Sequence, residues 1–234
     1  MPVVDKYTVL LSCAGNGSRF NSQIPKQYSK INDKTILEYT LDAFLAVPQI
    51  SQIMIVAAPN DNYIDDVLAN KYPSRVVIAK VGGDSRVASV KNGLNKLSCS
   101  DNDWILIHDA VRCCIRPQTV LRLIETLNVD KVGGILAIPA TDTVKQGDGV
   151  SISKTLDRNT IYLAQTPQMF RHKVLKAAIN QADVSGFTDD ASLVENLGLK
   201  VKLVTGDTTN IKVTYIEDMA LATTILTQRV NINE

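Results

Sequence analysis

The part of this sequence best suited to chemistry is a short turn that contains two glycines and has two cations in or just after it. The turn spans residues 12–20 (SCAGNGSRF), and the cations are Arg19 and, a few residues later, Lys26. Glycine lets peptide N–H groups approach an anion closely, and nearby cations neutralise the charge that builds up on phosphate groups. The combination predicts a loop that binds a triphosphate.

Two familiar phosphate-binding fingerprints are absent from this turn. The dinucleotide fingerprint needs a third glycine at position 20, where the chain has Phe20. The Gly-Lys-Ser/Thr ending of the common phosphate loop is missing as well. The turn therefore predicts phosphate binding of another kind.

Three further polar clusters follow predicted strands. They are residues 82–86 (GGDSR), residues 108–112 (HDAVR) and residues 206–214, which contain Lys212. Ligands bind at the carboxyl ends of the strands in an open α/β sheet, so we expect these clusters to meet at one site. Asp109 at such a strand end is also a candidate ligand for Mg²⁺, which prefers oxygen.

Several of these charged residues also have a purely structural interpretation. Asp84 could cap the helix that follows it, and Asp109 could form an ion pair with Arg112. Arg158, farther along the chain, could be a solvated surface charge. Residue types alone leave these alternatives open.

The elements that would position these residues follow a regular pattern. Apolar runs alternate with segments of helical periodicity, which is typical of a mostly parallel α/β sheet. The predicted strands are 8–13, 53–58, 76–81, 104–107, 134–138 and 200–204, and the predicted helices are 36–46, 86–97, 118–127, 173–181, 189–197 and 217–227. We expect a single domain, residues 1–234, with a Rossmann-like twisted sheet flanked by helices.

One segment, about residues 139–165, interrupts this pattern. A turn at residues 147–149 (GDG) lies between stretches of β-type alternation, which predicts a hairpin arm that projects from the sheet. Such an arm leaves apolar side chains uncovered unless it packs on another surface, and a second copy of the chain is the simplest surface. The arm therefore predicts a homodimer.

Composition narrows the possible functions. The chain has 234 residues and a formal net charge of +1, so no overall field favours nucleic acid or an anionic membrane. It lacks a basic leader with a long apolar run and any apolar stretch of about 18 residues, which predicts a cytoplasmic location.

The four cysteines lack the spacing of a zinc site. We expect them to be reduced thiols that do not act as nucleophiles.

Taken in order, these motifs resemble those of one family, the 2-C-methyl-D-erythritol 4-phosphate cytidylyltransferases of the non-mevalonate isoprenoid pathway. The resemblance runs from Leu11 to about Ala220. It rests on residues 14–19 (AGNGSR), 25–28 (PKQY), 82–86 (GGDSR), 108–110 (HDA), 142–145 (DTVK), 165–168 (QTPQ), 188–192 (TDDAS) and 210–214 (NIKVT). It implies that CTP and methylerythritol phosphate react to give a CDP-alcohol and pyrophosphate, with Mg²⁺ as cofactor.

The resemblance also assigns roles to residues. The implied catalytic residues are Arg19, Lys26, Arg158 and Lys212, with Arg158 reaching in from the arm of the partner subunit. The implied nucleotide contacts are Ser12, Cys13, Ala14, Gly15, Gly17, Gly83, Asp84, Arg86 and Ser89, and the implied substrate contacts are Asp109, Arg112, Thr143, Thr166 and Thr188. Mg²⁺ would be held mainly by the CTP phosphates, with Asp109 as its candidate protein ligand.

A phosphate monoester is already an anion at neutral pH, so direct attack on the α-phosphorus needs orientation and charge screening rather than a general base.

Two alternative functions remain for this sequence. A ribitol 5-phosphate cytidylyltransferase is similar in the glycine turn, although residues 188–192 favour methylerythritol phosphate. A catalytically silent nucleotide-binding relative is disfavoured because both Arg19 and Lys26 are present.

The sequence also departs from the family pattern at a few positions. The family usually has Pro-Ala where this chain has Ser12-Cys13, Met where it has Phe20, and Pro where it has Cys113. None of these differences removes a proposed charge. We therefore expect them to affect the stiffness of the loops rather than the reaction itself.

Overall fold

A computed structural model describes residues 5–15, 20, 24–69, 71–181 and 186–232, with the backbone alone for residues 230–232. The predicted contacts Gly17 and Arg19 lie outside the described residues. The described residues form eleven strands: β1 (Tyr7–Ser12), β2 (Lys30–Ile31), β3 (Lys34–Thr35), β4 (Ile50–Val56), β5 (Val76–Ala79), β6 (Trp104–Asp109), β7 (Gly133–Pro139), β8 (Lys145–Gly147), β9 (Ile152–Thr155), β10 (Tyr162–Arg171) and β11 (Lys202–Thr205). They also form seven α-helices: α1 (Ile36–Leu45), α2 (Ile64–Leu68), α3 (Arg86–Leu94), α4 (Pro117–Leu127), α5 (His172–Gln181), α6 (Asp190–Glu195) and α7 (Asp218–Ile232).

The main sheet is mostly parallel, as predicted. Its seven strands within the described residues lie in the order β11-β7-β10-β6-β1-β4-β5. Neighbouring strands are parallel except at β10, which runs antiparallel to both β6 and β7. All six predicted strands and all six predicted helices are present, with ends that differ by up to a few residues.

The strand β10 was missed by the sequence analysis. Its central residues are polar, at 165–168 (QTPQ), so they break the apolar pattern that marks a buried strand. In the structure the side chain of Gln168 is satisfied at the start of α6, where its Oε1 accepts hydrogen bonds from the backbone N–H groups of Asp190 and Ala191. Long-range hydrogen bonds therefore permit polar side chains at buried positions of this strand.

Apolar side chains cover both faces of the sheet. Val9 and Leu11 of β1 pack with residues of α1 and α4, whereas Leu10 points to the opposite face and packs with residues of α3 and α5. This is the alternation expected of a strand buried on both faces. Local signals fix the ends of two of these helices: a capping box at Thr35 and Glu38 begins α1, and Pro117 occupies the first position of α4.

The predicted hairpin is present as β8 and β9, and all of its residues are exposed. It emerges between β7 and β10 in the chain. Residues 162–165, which the sequence analysis placed in the arm, pair instead with β7 in the main sheet. The exposed fractions of Val150 and Ile152 on the arm are 95% and 65%. The arm alone does not cover these apolar side chains.

None of the helices in the described part of the chain is both long enough and apolar enough to cross a bilayer. The four cysteines are free thiols, as expected.

Candidate active site

A cleft of about 640 Å³ opens where β1, β4 and β6 end, which is the edge of the sheet predicted for the site. It is formed by the segments that follow these strands, by the turn before α3 and by the chain before α7. Its lining residues are Ser12, Cys13, Ala14, Gly15, Lys26, Gln27, Ala58, Pro59, Asn60, Gly82, Gly83, Asp84, Ser85, Arg86, Ser89, Asp109, Ala110, Val111 and Lys212.

Lys26 begins a short 3₁₀ turn (Lys26–Tyr28). The other two residues of this turn, Gln27 and Tyr28, hold it in place by hydrogen bonds. Gln27 Nε2 donates to the carbonyl of Cys13 at 2.9 Å, and the hydroxyl of Tyr28 donates to Asp61 Oδ2 at 2.7 Å. The Lys26 amine donates to the carbonyl of Val213 at 3.1 Å. These contacts hold the amine between the loop after β1 and the segment that carries Lys212.

Cys13 lines the cleft but is poorly suited to act as a nucleophile. Burial raises the pKa of its thiol to about 12, so the thiolate is rare at neutral pH. Its Sγ lies 3.8 Å from the hydroxyl of Tyr28. The thiol therefore has a packing role in this structure.

On another wall, the turn at Gly82 and Gly83 packs closely against the loop that follows β1. A side chain at Gly82 would place its Cβ 2.3 Å from the Cβ of Ala14 and 2.9 Å from the carbonyl oxygen of Ala57. Only glycine allows this approach. The hydroxyl of Ser89 accepts from the Gly83 N–H at 3.0 Å, which holds the turn against α3.

The structural interpretation of Asp84 is wrong. Ser85 is the residue that caps α3, because its hydroxyl accepts from the N–H of Ala88 at 3.0 Å. Asp84 is exposed and lines the cleft. Its carboxylate is therefore positioned to face a ligand.

Three cations surround Asp109 at the end of β6. Lys212 Nζ lies 2.8 Å from Oδ2, Arg86 Nε lies 3.1 Å from Oδ1, and Arg112 Nε lies 3.7 Å from Oδ2. Burial alone would raise the pKa of Asp109, but Arg86 and Lys212 hold it well below its usual range. Asp109 is therefore a stable carboxylate at neutral pH, and the predicted ion pair with Arg112 is one of three.

Arg86 also contacts Asp190, a residue that the sequence analysis did not assign. Arg86 Nη1 lies 2.8 Å from Asp190 Oδ2, and the Asp190 side chain is fully buried. Burial raises the pKa of Asp190, and Arg86 opposes that rise. The guanidinium thus lies between two carboxylates, so it borders the cleft with most of its charge already balanced.

Behind Asp109, two neutral side chains connect β6 to β10. His108 Nδ1 lies 3.0 Å from the Oγ1 of Thr166, and that oxygen accepts from the N–H of Asp109 at 3.1 Å. Burial lowers the pKa of His108 to about 3, so the ring is uncharged at neutral pH.

Comparison with known proteins decides the family. A protein-family model described as 2-C-methyl-D-erythritol 4-phosphate cytidylyltransferase (IspD) matches residues 7–228. The chain belongs to the 2-C-methyl-D-erythritol 4-phosphate cytidylyltransferase family. It is accordingly an enzyme of the nucleotidyltransferase class, as predicted.

Individual relatives agree with this assignment. The 2-C-methyl-D-erythritol 4-phosphate cytidylyltransferase of Chromobacterium violaceum is 46% identical over 221 residues, covering 94% of this chain and 97% of that protein. The protein of the same name from Laribacter hongkongensis is 42% identical and covers 93% and 94%. The crystal structure of the Francisella tularensis protein of that name is 33% identical, with a TM-score of 0.82 over 94% of this chain and 100% of that one.

The structure brings most of the residues implied by the family resemblance to one cleft. Those that line it are Ser12, Cys13, Ala14, Gly15, Lys26, Gly83, Asp84, Arg86, Ser89, Asp109 and Lys212. Arg112 and Thr166 lie behind Asp109 and contact it. Thr143, Arg158 and Thr188 are exposed and do not line the cleft of their own chain.

The departures from the cytidylyltransferase family pattern fall largely on packed positions. Phe20 and Cys113 are 2% and 1% exposed and belong to one apolar cluster with Val213 and Ala222. That cluster joins the loop after Arg112 to the segment beside Lys212. The departures thus alter the packing behind the cleft, while the charges within it are retained.

Proposed function

We propose that this cleft transfers the cytidylyl group of CTP to 2-C-methyl-D-erythritol 4-phosphate, in the non-mevalonate route to isoprenoid precursors. The observation that carries the proposal is a cleft lined by the two cations Lys26 and Lys212. The cysteine that lines it, Cys13, is a neutral thiol at neutral pH. Such a site suits a reaction between two anionic phosphates without a covalent enzyme intermediate.

In the proposed reaction, an oxygen of the substrate phosphate attacks the α-phosphorus of CTP. A new P–O bond forms as the bond from the α-phosphorus to the bridging oxygen breaks, and pyrophosphate leaves with the electron pair. Lys26 and Arg19 would stabilise the triphosphate as charge moves onto it, and Lys212 would hold the attacking phosphate near the α-phosphorus. The attacking oxygen needs no general base because it is already ionised.

The nucleotide side of the cleft is assigned to the loop after β1 and to the turn before α3. This turn lines the cleft, and Gly82 packs closely against Ala14. Backbone carbonyls that accept from the amino group of cytosine would meet the O4 of uracil as a second acceptor, an unpaired contact that costs about 1–3 kcal/mol. CTP would then be preferred to UTP.

The sugar-alcohol side is assigned to Asp109, Arg112, Thr166 and Thr188. Because Asp109 stays ionised, it can accept hydrogen bonds from substrate hydroxyls. Arg112 is already oriented, since its Nη1 donates to the carbonyl of Asn210 at 2.8 Å.

We also propose a homodimer in which the arm, as part of a single nucleotidyltransferase domain, completes the site of its partner. A two-stranded hairpin is marginally stable on its own, and this one carries exposed apolar side chains at its tip. Arg158 Nη1 donates to the carbonyl of Thr141 at 2.7 Å, so Arg158 and Thr143 belong to the same exposed region at the base of the arm. Both would act in the partner's cleft.

Asp109 fits poorly as the main ligand of a divalent cation. Both of its oxygens lie near cationic side chains, which a metal ion would have to displace. No cluster of three or more His, Cys, Asp or Glu side chains suited to a metal occurs among the described residues. We therefore propose Mg²⁺ only as an ion that the CTP phosphates carry into the cleft.

Pyrophosphate release tests the proposed function. The purified chain is incubated with Mg²⁺, CTP or UTP, and methylerythritol phosphate or ribitol 5-phosphate. We expect release with CTP and methylerythritol phosphate, and at least about fivefold lower kcat/KM for each replacement. Faster release with ribitol 5-phosphate would identify the alternative enzyme. The absence of release with both sugar phosphates would favour a silent nucleotide-binding protein.

A further inference from the structure

His108 is a fully buried polar residue to which the proposed mechanism gives no role. It lies near the end of β6, and its ring packs edge-on against Phe44 with 4.9 Å between the ring centres. Nε2 lies 3.4 Å from the carbonyl oxygen of Arg112, and Nδ1 lies 3.0 Å from Thr166 Oγ1. Each ring nitrogen thus faces a residue of the substrate side.

The surroundings of the ring favour one position for its proton. A carbonyl oxygen can only accept, so the 3.4 Å contact with Arg112 favours the tautomer whose hydrogen is on Nε2. A neutral imidazole has one N–H, which leaves Nδ1 as an acceptor. In that tautomer Nδ1 accepts the hydroxyl hydrogen of Thr166.

This arrangement also restricts what Thr166 can do. One of its lone pairs accepts from the N–H of Asp109 at 3.1 Å, and in the tautomer with the hydrogen on Nε2 its only hydrogen is donated to His108. One acceptor position remains. The hydroxyl then has no hydrogen left to give to another partner.

We propose that His108 is a positioning residue for the sugar-alcohol side of the cleft. Through Thr166 and the carbonyl of Arg112, it holds the turn that carries Asp109 and Arg112. The inference rests on the proposed function, because it concerns recognition of the second substrate.

Substitutions at His108 separate positioning from packing. His108→Phe keeps the ring shape but removes both polar contacts, whereas His108→Asn can place an amide oxygen near the position of Nδ1. We expect His108→Phe to raise the KM for methylerythritol phosphate about tenfold or more, with the KM for CTP changed less than about twofold. His108→Asn should recover part of that loss.

Three further variants keep the test decisive where a substituted His108 fails to fold. Thr166→Val removes the hydroxyl at nearly constant volume and should also raise the KM for methylerythritol phosphate, while Thr166→Ser should restore it. Leu123→Ala, in the core under α4, serves as a control that lowers stability without touching this network. It should leave both KM values unchanged.

Changes of less than twofold in the KM for methylerythritol phosphate in both His108→Phe and Thr166→Val would overturn the proposal. Equal changes in the two KM values would overturn it as well, because they indicate a general structural effect. The native chain is assayed in parallel, and its failure to release pyrophosphate would count against the proposed function instead.

Discussion

The amine of Lys212 lies 2.8 Å from the carboxylate of Asp109 and thereby joins the segment before α7 to the end of β6. Because Arg86 and Arg112 contact the same carboxylate, one anion holds three cations at the substrate side of the cleft. The excess positive charge suits a site for anionic substrates.

Lys26→Ala should lower turnover about 10²-fold or more while changing stability little. The residue is partly exposed in the cleft, so it contributes little to the core, whereas loss of a charged contact in the transition state is costly. Lys30→Ala, at a nearby exposed lysine on β2, is the matched control and should keep native turnover. Rates are measured at saturating CTP and Mg²⁺; a near-native rate in Lys26→Ala would exclude its assigned role.

Two glycines of the cleft should respond differently to alanine. At Gly82 a Cβ would lie 2.9 Å from the carbonyl oxygen of Ala57, so Gly82→Ala should destabilise the fold by about 1–3 kcal/mol. At Gly15 a Cβ would meet no atom of the described residues within 4 Å, so Gly15→Ala should keep stability and instead raise the KM for CTP. Denaturant unfolding and CTP titration distinguish the two. Equal stability losses would show that Gly15 is packed in solution.

Arg86→Met should be more harmful than the double variant Arg86→Met/Asp190→Asn. Removing the cation leaves the fully buried carboxylate of Asp190 without the partner that it has among the described residues, at a cost of about 3–5 kcal/mol. The second substitution removes that charge and should restore part of the stability. A double-mutant cycle of unfolding free energies measures the coupling. Additive losses would mean that the two side chains do not interact.

The native chain should lose stability relative to His108→Phe as the pH falls from 7 to 5. In the unfolded chain His108 takes up a proton near its ordinary pKa of 6.5, whereas in the fold its pKa is lowered to about 3. The unfolded state then binds more protons, so acid favours unfolding, by roughly 2 kcal/mol across this interval. Urea unfolding at both pH values gives the difference. Parallel behaviour of the two proteins would mean that His108 titrates normally.

Mixing Arg158→Ala subunits with Lys26→Ala subunits should restore activity if the arm acts in trans. In a mixed dimer one site has both native residues and the other has neither. Random exchange makes about half of the dimers mixed, so recovery should approach roughly a quarter of native activity when the sites act independently. Exchange is followed with differently tagged subunits. Complete exchange without recovery would place Arg158 in its own chain's site or in none.

The sequence by itself determined the elements and the chemical type of the site. Apolar periodicity identified strands such as β1 and β6, and the glycine turns beside them indicated where phosphates would lie. These signals depend on neighbours in the chain, so they are visible without a fold. The strand β10 escaped detection because the polar side chains at its centre find their partners far away in sequence.

Tertiary structure decided which charges are available to a ligand. The sequence placed Arg86 with the nucleotide and gave no role to Asp190, but the sheet order brings both beside Asp109 and neutralises much of the Arg86 charge. It also brings His108 within 3.0 Å of Thr166, a contact that residue types cannot reveal. Electrostatic and hydrogen-bond energies depend on distances between atoms, and only the packed chain sets those distances.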